Sequence, residues 1–290
     1  MFNYFQTKTI ETSGAKINLV IGGQGEPLLL LHGYPQTHLM WHKIAHLLAE
    51  DFTVIATDLR GYGASSKPPG EPDHSNYAKR VMAQDQVEVM FQLGYETFAL
   101  VGHDRGARVA HRLTLDYPTK VKKLALLDIL PTYELYANSD REFATAYYHW
   151  FFLIQPYPFP ETLISNNAEY FLRHCLSQWS KVDDAFTQAT IAEYLLYFDD
   201  WATIHSTCED YRAAASIDSI HDQLNREQKI TCPLLVLWGK QGIIGKKYDI
   251  LASWTAKAIN VQGKGLNCGH FLPEEAPNET YSALRNFLVV

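Results

Sequence analysis

The stretch LVGHDRGARVAHR, residues 100 to 112, reads as a buried strand, a tight turn flanked by Gly102 and Gly106, and a helix. At the apex stands a carboxylate, Asp104, in the position where such elbows usually present a serine nucleophile. The two glycines let strand and helix approach closely around a strained apex whose side chain points out of the sheet. A serine that displaced a leaving group from a saturated carbon would become an ether, which water does not readily cleave. A carboxylate becomes an ester, which water can cleave. Asp104 therefore points to displacement at an sp3 carbon, followed by hydrolysis of an alkyl-enzyme ester by water activated on a histidine. Its competing reading is a plain helix cap, a role aspartate fills well.

Arg105 and Arg108 follow in the first turn of the helix. The partial positive charge of a helix N-terminus makes two guanidinium groups unfavourable there unless an anion stays close. Asp104 can offset one, and the other can neutralise a surface carboxylate. Together they can instead form a forked clamp for a substrate carboxylate, for which Arg suits better than Lys.

The elements that position these groups alternate between strands and helices. PLLLLHG (27–33), FTVIATD (52–58), FALVG (98–102) and VKKLALLD (121–128) read as strands feeding loops at their carboxyl ends. In YAKRVMAQDQVEVMFQLG, Val81, Gln84, Val87, Met90 and Phe91 follow mostly helical spacing, and Gly94 supplies the stop. This alternation predicts an α/β fold with a mainly parallel twisted sheet flanked by helices. Residues 131–226 are rich in Tyr, Trp and Phe and poor in strand-like alternation, so a helical insertion separates a first core part, 1–130, from a second, 227–290. The second part opens with the strand CPLLVLWG (232–239), adds a strand near Asn260–Lys264, and ends in a helix over Pro277–Leu288.

With 290 residues, 47% hydrophobic, the chain can bury a full core. A net charge of -7 with scattered basic residues argues against nucleic acid or an anionic membrane as main partner, so an anionic substrate needs a local positive pocket. Cys175, Cys208, Cys232 and Cys268 show no metal or redox spacing and read as reduced thiols. No basic leader or apolar span is visible, which gives a cytoplasmic expectation by default.

Three further motifs complete the pattern: LLHGYP (30–35), DLRGYGASSKP (58–68) and CGHFLPEE (268–275). With GHDRG they occur in the order found in α/β-hydrolase-fold enzymes, which the chain resembles over nearly its whole length outside the insertion. The insertion falls where that family carries its helical cap. The resemblance implies that His270 is the base and that His32 and His103 serve packing or loop support. It also implies an acid to fix the His270 tautomer. Many family members place that acid after the strand seen here at LLVLWG, where this chain has Gly242 near the expected position and Asp249 several residues late. Asp128 is the better candidate, since some dehalogenases of the fold use that loop; its alternative is a turn residue.

HDRGAR (103–108) is similar to the fluoroacetate and haloacetate dehalogenases, whereas haloalkane dehalogenases and epoxide hydrolases usually carry Trp after the nucleophile. The resemblance implies a small 2-haloacid with its carboxylate on Arg105 and Arg108. YYHWFFLIQPYPFPE and STCEDYRAAASID match the same enzymes, which makes His149, Trp150 and Tyr211 the halide donors, with Tyr34 and Trp179 lining the pocket. Without that match, each of these aromatics would read as core. Ala107, where relatives often have Gly, and NCGHFLPEE, in place of a GGHFF type, depart from the family and bear on fluoride against chloride. No metal or organic cofactor is expected, because nucleophile, base and electrophilic donors are all protein groups. A homodimer is expected from the resemblance alone. The rival readings are an epoxide hydrolase with tyrosine acids, for which Tyr147, Tyr148, Tyr194, Tyr197 and Tyr211 are available, and a non-hydrolytic ligand receptor on the same fold.

Overall fold

A computed structural model describes residues 1–289. Eight strands form one sheet: β1 (Gln6–Glu11), β2 (Lys16–Gly22), β3 (Glu26–Leu31), β4 (Phe52–Thr57), β5 (Phe98–His103), β6 (Val121–Leu127), β7 (Leu234–Gly239) and β8 (Val261–Leu266). Their order is β1-β2-β4-β3-β5-β6-β7-β8, with β1–β2 and β2–β4 antiparallel and every other pair parallel. The helices of eleven residues or more are α1 (Lys79–Gln92), α2 (Asp104–Asp116), α3 (Ala168–Trp179), α4 (Gln188–Phe198), α5 (Trp201–Ala215) and α6 (Pro277–Val289).

The apolar runs are continuous because both faces of the sheet are covered. Successive residues serve opposite cores: Leu29, Leu31, Leu100 and Leu126 face one, and Leu28, Leu30, Val101 and Leu127 the other. All six expected strands form. The β1–β2 hairpin was not anticipated, since QTKTIE lies at the exposed sheet edge and carries no apolar run. Helix α1 forms where expected, but with a different buried face. Met82, Ala83, Gln86, Val89 and Met90 point inward while Gln84 and Phe91 are exposed. Its polar positions are buried through partners, Asp85 with Arg60 at 2.8 Å and Gln86 with Thr57 at 2.8 Å, so apolar spacing misplaces the face.

Between β6 and β7 the chain forms eight helices and no strand, the first starting at Thr132 and the last ending at Leu224. This insertion lies over the carboxyl ends of the parallel strands, where open α/β sheets place their sites. His270 N–H, for instance, donates to the Trp179 carbonyl at 3.0 Å. No helix among the described residues is long and apolar enough to cross a membrane.

Candidate active site

Strand β5 runs into α2 without an intervening loop, and Asp104 is held at φ 46°. A Cβ on Gly102 would stand 2.6 Å from the Ala107 Cα, and one on Gly106 would meet the backbone of Leu31 and His32. Both glycines are thus required by the close crossing of β3, β5 and α2. The Asp104 side chain does not cap the helix: its Oδ1 accepts from the Tyr34 N–H at 2.9 Å, and the cap position, His103, makes no side-chain capping bond. Burial opposes ionisation of Asp104, but the charges of His270, His103, Arg105 and Arg108 outweigh it and bring the carboxyl to about 2. A buried, ionised carboxylate with open lone pairs is a nucleophile at neutral pH.

His270 Nε2 stands 3.9 Å from Asp104 Oδ2, too far for a hydrogen bond and suited to a water between them. The other ring nitrogen, Nδ1, bonds Asp128 Oδ2 at 2.6 Å, and Asp128 Oδ1 accepts from the Gly239 N–H at 2.9 Å. Asp128 is itself held at φ 53°. Burial disfavours the imidazolium of His270, yet the hydrogen bond and charge of Asp128, with Asp104 beyond, raise its pKa above the ordinary value. Gly242 and Asp128 share one location, since a Cβ on Gly242 would come 3.9 Å from Asp128 Oδ2, whereas Asp249 caps the helix Ile250–Thr255. His103, lowered to about 3 by burial and the charge of His270, donates from Nε2 to the His270 carbonyl at 2.7 Å. His32 pairs with Gly33 and the Leu59 N–H, so both serve as loop supports.

The arginines are bound differently from the expected open fork. Arg105 is fully buried; its Nε and Nη2 donate to Asp210 Oδ2 and Oδ1 at 2.9 and 2.8 Å. The compensating carboxylate is therefore neither on the surface nor on a substrate but on α5, and only Arg105 Nη1 lacks a partner. Arg108 donates from Nη1 to the Leu130 carbonyl at 2.9 Å and Thr132 Oγ1 at 2.8 Å, leaving Nε unpartnered. Asp210 went unnoticed in the sequence although it directly precedes Tyr211 in CEDYR.

The insertion supplies the aromatic half. His149 lies 4.3 Å from Trp179, 5.6 Å from Tyr211 and 6.2 Å from Tyr34 between ring centroids, and Trp150 lies 6.4 Å from Tyr211. The guanidinium of Arg105 stacks on Tyr211 at 4.1 Å and that of Arg108 on Trp150 at 4.7 Å. Tyr34 Oη, His149 Nδ1, Trp150 Nε1 and Tyr211 Oη are all buried without a protein partner. So is Tyr136 Oη, beside Trp150 and absent from the sequence expectations. Burial drives His149 to about 3 and pushes the Tyr211 phenol far up, so both groups are neutral donors. A clustered set of orphan donors beside two guanidinium groups suits an anion, because each buried unsatisfied donor costs about 1–3 kcal/mol. A cavity of about 640 Å³ reaches His270, Tyr147 and Trp179 from outside, its wall carrying Arg141, Lys181 and Lys246.

A model of the alpha/beta hydrolase fold matches residues 26–277. The chain belongs to that family. This alpha/beta hydrolase is 44% identical over 289 residues to a fluoroacetate dehalogenase of Burkholderia sp, covering 99% of this chain and 95% of that one. A soluble epoxide hydrolase of Corynebacterium sp. (strain C12) is 35% identical, with 91% of each chain covered. Among solved structures, a Nostoc sp PCC 7120 protein provisionally described as an alpha/beta hydrolase superposes with TM-score 0.98 at 66% identity, covering 99% of each chain.

One further group ties the insertion of this alpha/beta hydrolase to its core. Glu274 is fully buried, accepting from the Tyr194 hydroxyl of α4 at 3.0 Å and from Gln36 Nε2. Burial raises its carboxyl to about 8, against the opposing pull of the Tyr194 and Gln36 hydrogen bonds. The stability contributed by its protonated form is full below the unfolded value of 4.5 and is lost as pH rises through 8. Between pH 5 and pH 9 the protein is expected to lose on the order of 1 kcal/mol or more through this group. Thermal unfolding of Glu274→Gln across that window should give a flatter curve than the unaltered protein, and parallel curves would contradict the assignment.

Proposed function

We propose that this enzyme hydrolyses the carbon–halogen bond of small 2-haloacids such as fluoroacetate and chloroacetate, giving the hydroxy acid and halide. The observation that carries the reading is the pairing of an ionised, uncapped Asp104 with the unpartnered Arg105 Nη1 and Arg108 Nε beside it. An uncharged substrate would leave those guanidinium donors unused. In the first step Asp104 Oδ2 attacks the alpha carbon in line, the carbon–halogen bond breaks with its electron pair on the halide, and an aspartyl ester forms. The departing halide is received by His149, Trp150 and Tyr211, each hydrogen bond to a charged acceptor contributing about 1.5–3 kcal/mol. In the second step His270 Nε2 takes a proton from water, which adds to the ester carbonyl. The charge gathers on Oδ1 beside the Tyr34 N–H, and Asp128 stabilises the imidazolium. The tetrahedral centre collapses by breaking its bond to the original Oδ2, which takes the proton from His270 and leaves as the hydroxyl of the hydroxy acid. The water oxygen stays in the Asp104 carboxyl, whose remaining proton is lost to solvent. The helical insertion acts as a cap that keeps bulk water from the first step.

Ion chromatography of halide released from fluoroacetate, chloroacetate and a neutral chloroalkane, each offered separately, tests this. Release from the haloacids alone is expected. Release from the chloroalkane as well would remove the carboxylate clamp, and silence with all three combined with hydrolysis of an epoxide would transfer the site to the chemistry named for the Corynebacterium relative.

A further inference from the structure

Arginine next to a nucleophilic carboxylate carries a hazard. In a dry site the two attract strongly, and a guanidinium that paired with Asp104 would occupy the lone pairs that must attack. The structure contains a restraint against that. Asp210 has all four acceptor positions filled: Oδ1 by Arg105 Nη2 and Lys79 Nζ, Oδ2 by Arg105 Nε and the Tyr62 hydroxyl at 2.7 Å. Arg105 Nη2 also reaches the Asp210 carbonyl at 2.9 Å, so the guanidinium is gripped along one whole edge. Lys79 lies 3.4 Å from Asp218 Oδ2, which balances two cations with two carboxylates. Three segments of chain, the loop after β4 with Tyr62, α1 with Lys79 and α2 with Arg105, thus converge on a carboxylate of α5 that touches no reacting atom.

We infer that Asp210 is a positioning residue: it holds Arg105 off the adjacent nucleophile Asp104 and leaves a single guanidinium nitrogen, the Nη1 amino group, for the carboxylate of the substrate. This rests on the haloacid reading for the identity of that substrate. The same α5 segment presents Tyr211 under the guanidinium plane, so one helix sets the substrate-facing donor and a leaving-group donor together. An Arg105 released from Asp210 would swing to Asp104, weakening both recognition and attack while leaving His270 and Asp128 to hydrolyse any ester formed.

Two measurements on Asp210→Asn test the inference. The first is the NMR titration of the His270 imidazole, which faces Asp128, Asp104, Glu275 and His103. If Arg105 pairs with Asp104, the pKa of His270 falls, and the double variant Asp210→Asn/Arg105→Met restores it. The second is quenched-flow mass spectrometry with chloroacetate, which follows the ester as it forms and decays. Formation is expected to slow by about tenfold or more, the effect of losing a charged hydrogen bond, with decay little changed. An unmoved imidazole, or equal slowing of both steps, overturns the inference. Should Asp210→Asn fold poorly, Asp210→Glu keeps the charge but pushes the guanidinium out of place, and the same split between steps is expected. A native protein that forms no ester at all refutes the haloacid reading, while the titration still decides whether Asp210 restrains Arg105.

Discussion

His270→Asn is expected to release one equivalent of halide from chloroacetate and then stall. Asparagine keeps a polar group beside Asp128 but supplies no base at the position 3.9 Å from Asp104 Oδ2. On the proposed mechanism alkylation needs only Asp104, the halide donors and the arginines, so the first half-reaction survives. Steady turnover should fall by about 10²- to 10⁴-fold, the range for loss of a positioned general base. Mass spectrometry of the intact variant would then find the chain heavier by one carboxymethyl group, mapped by peptide digestion to Asp104. The native enzyme adds a pH signature. His270 works as a base only when neutral, and its pKa lies above the ordinary 6.5, so turnover falls as pH drops through that raised value. A variant that stays unmodified after prolonged incubation would exclude the ester.

Asp104→Asn should abolish both halide release and modification, a loss on the order of 10⁴-fold or more, as for removal of other nucleophiles. Asparagine tolerates the left-handed backbone that Asp104 adopts at φ 46°, so the fold is expected to survive. The outcome separates two roles cleanly. Asparagine caps helices as well as aspartate does, and a residue that served only α2 would leave activity intact. A circular dichroism melt alongside the halide assay distinguishes an inactive folded protein from an unfolded one.

The sheet was legible because each inner strand is a short apolar run between turn signals. Sequence order also brings Asp104, Asp128 and His270 to the carboxyl ends of β5, β6 and β8. The edge hairpin was not legible, since its outer strand β1 is almost wholly exposed and lacks that run. The partners of charged groups were hidden for another reason. Arg105 and Asp210 are 105 residues apart, and Gln36 and Glu274 are 238 apart, so nothing local in either segment announces the other. The sequence therefore could not show that Arg105 already has a buried counter-charge, which leaves only its Nη1, with Arg108 Nε, without a protein partner. Residues named by resemblance, His149, Trp150, Tyr211, Tyr34 and Trp179, do gather around the elbow.

Asp104 and Asp128 both adopt left-handed backbone, at φ 46° and 53°, and neither is glycine. Such conformations cost about 1–3 kcal/mol each and persist only where the surroundings enforce them. The two carboxylates on which the proposed chemistry depends are therefore among the residues the fold tolerates least. Screening for heat resistance alone would favour glycine or asparagine at both positions, and a protein hardened that way would lose its reactivity early. Any programme to make this enzyme more robust has to exempt positions 104 and 128 from the library and seek its gains elsewhere, in the exposed edge strand β1 or the surface of the insertion.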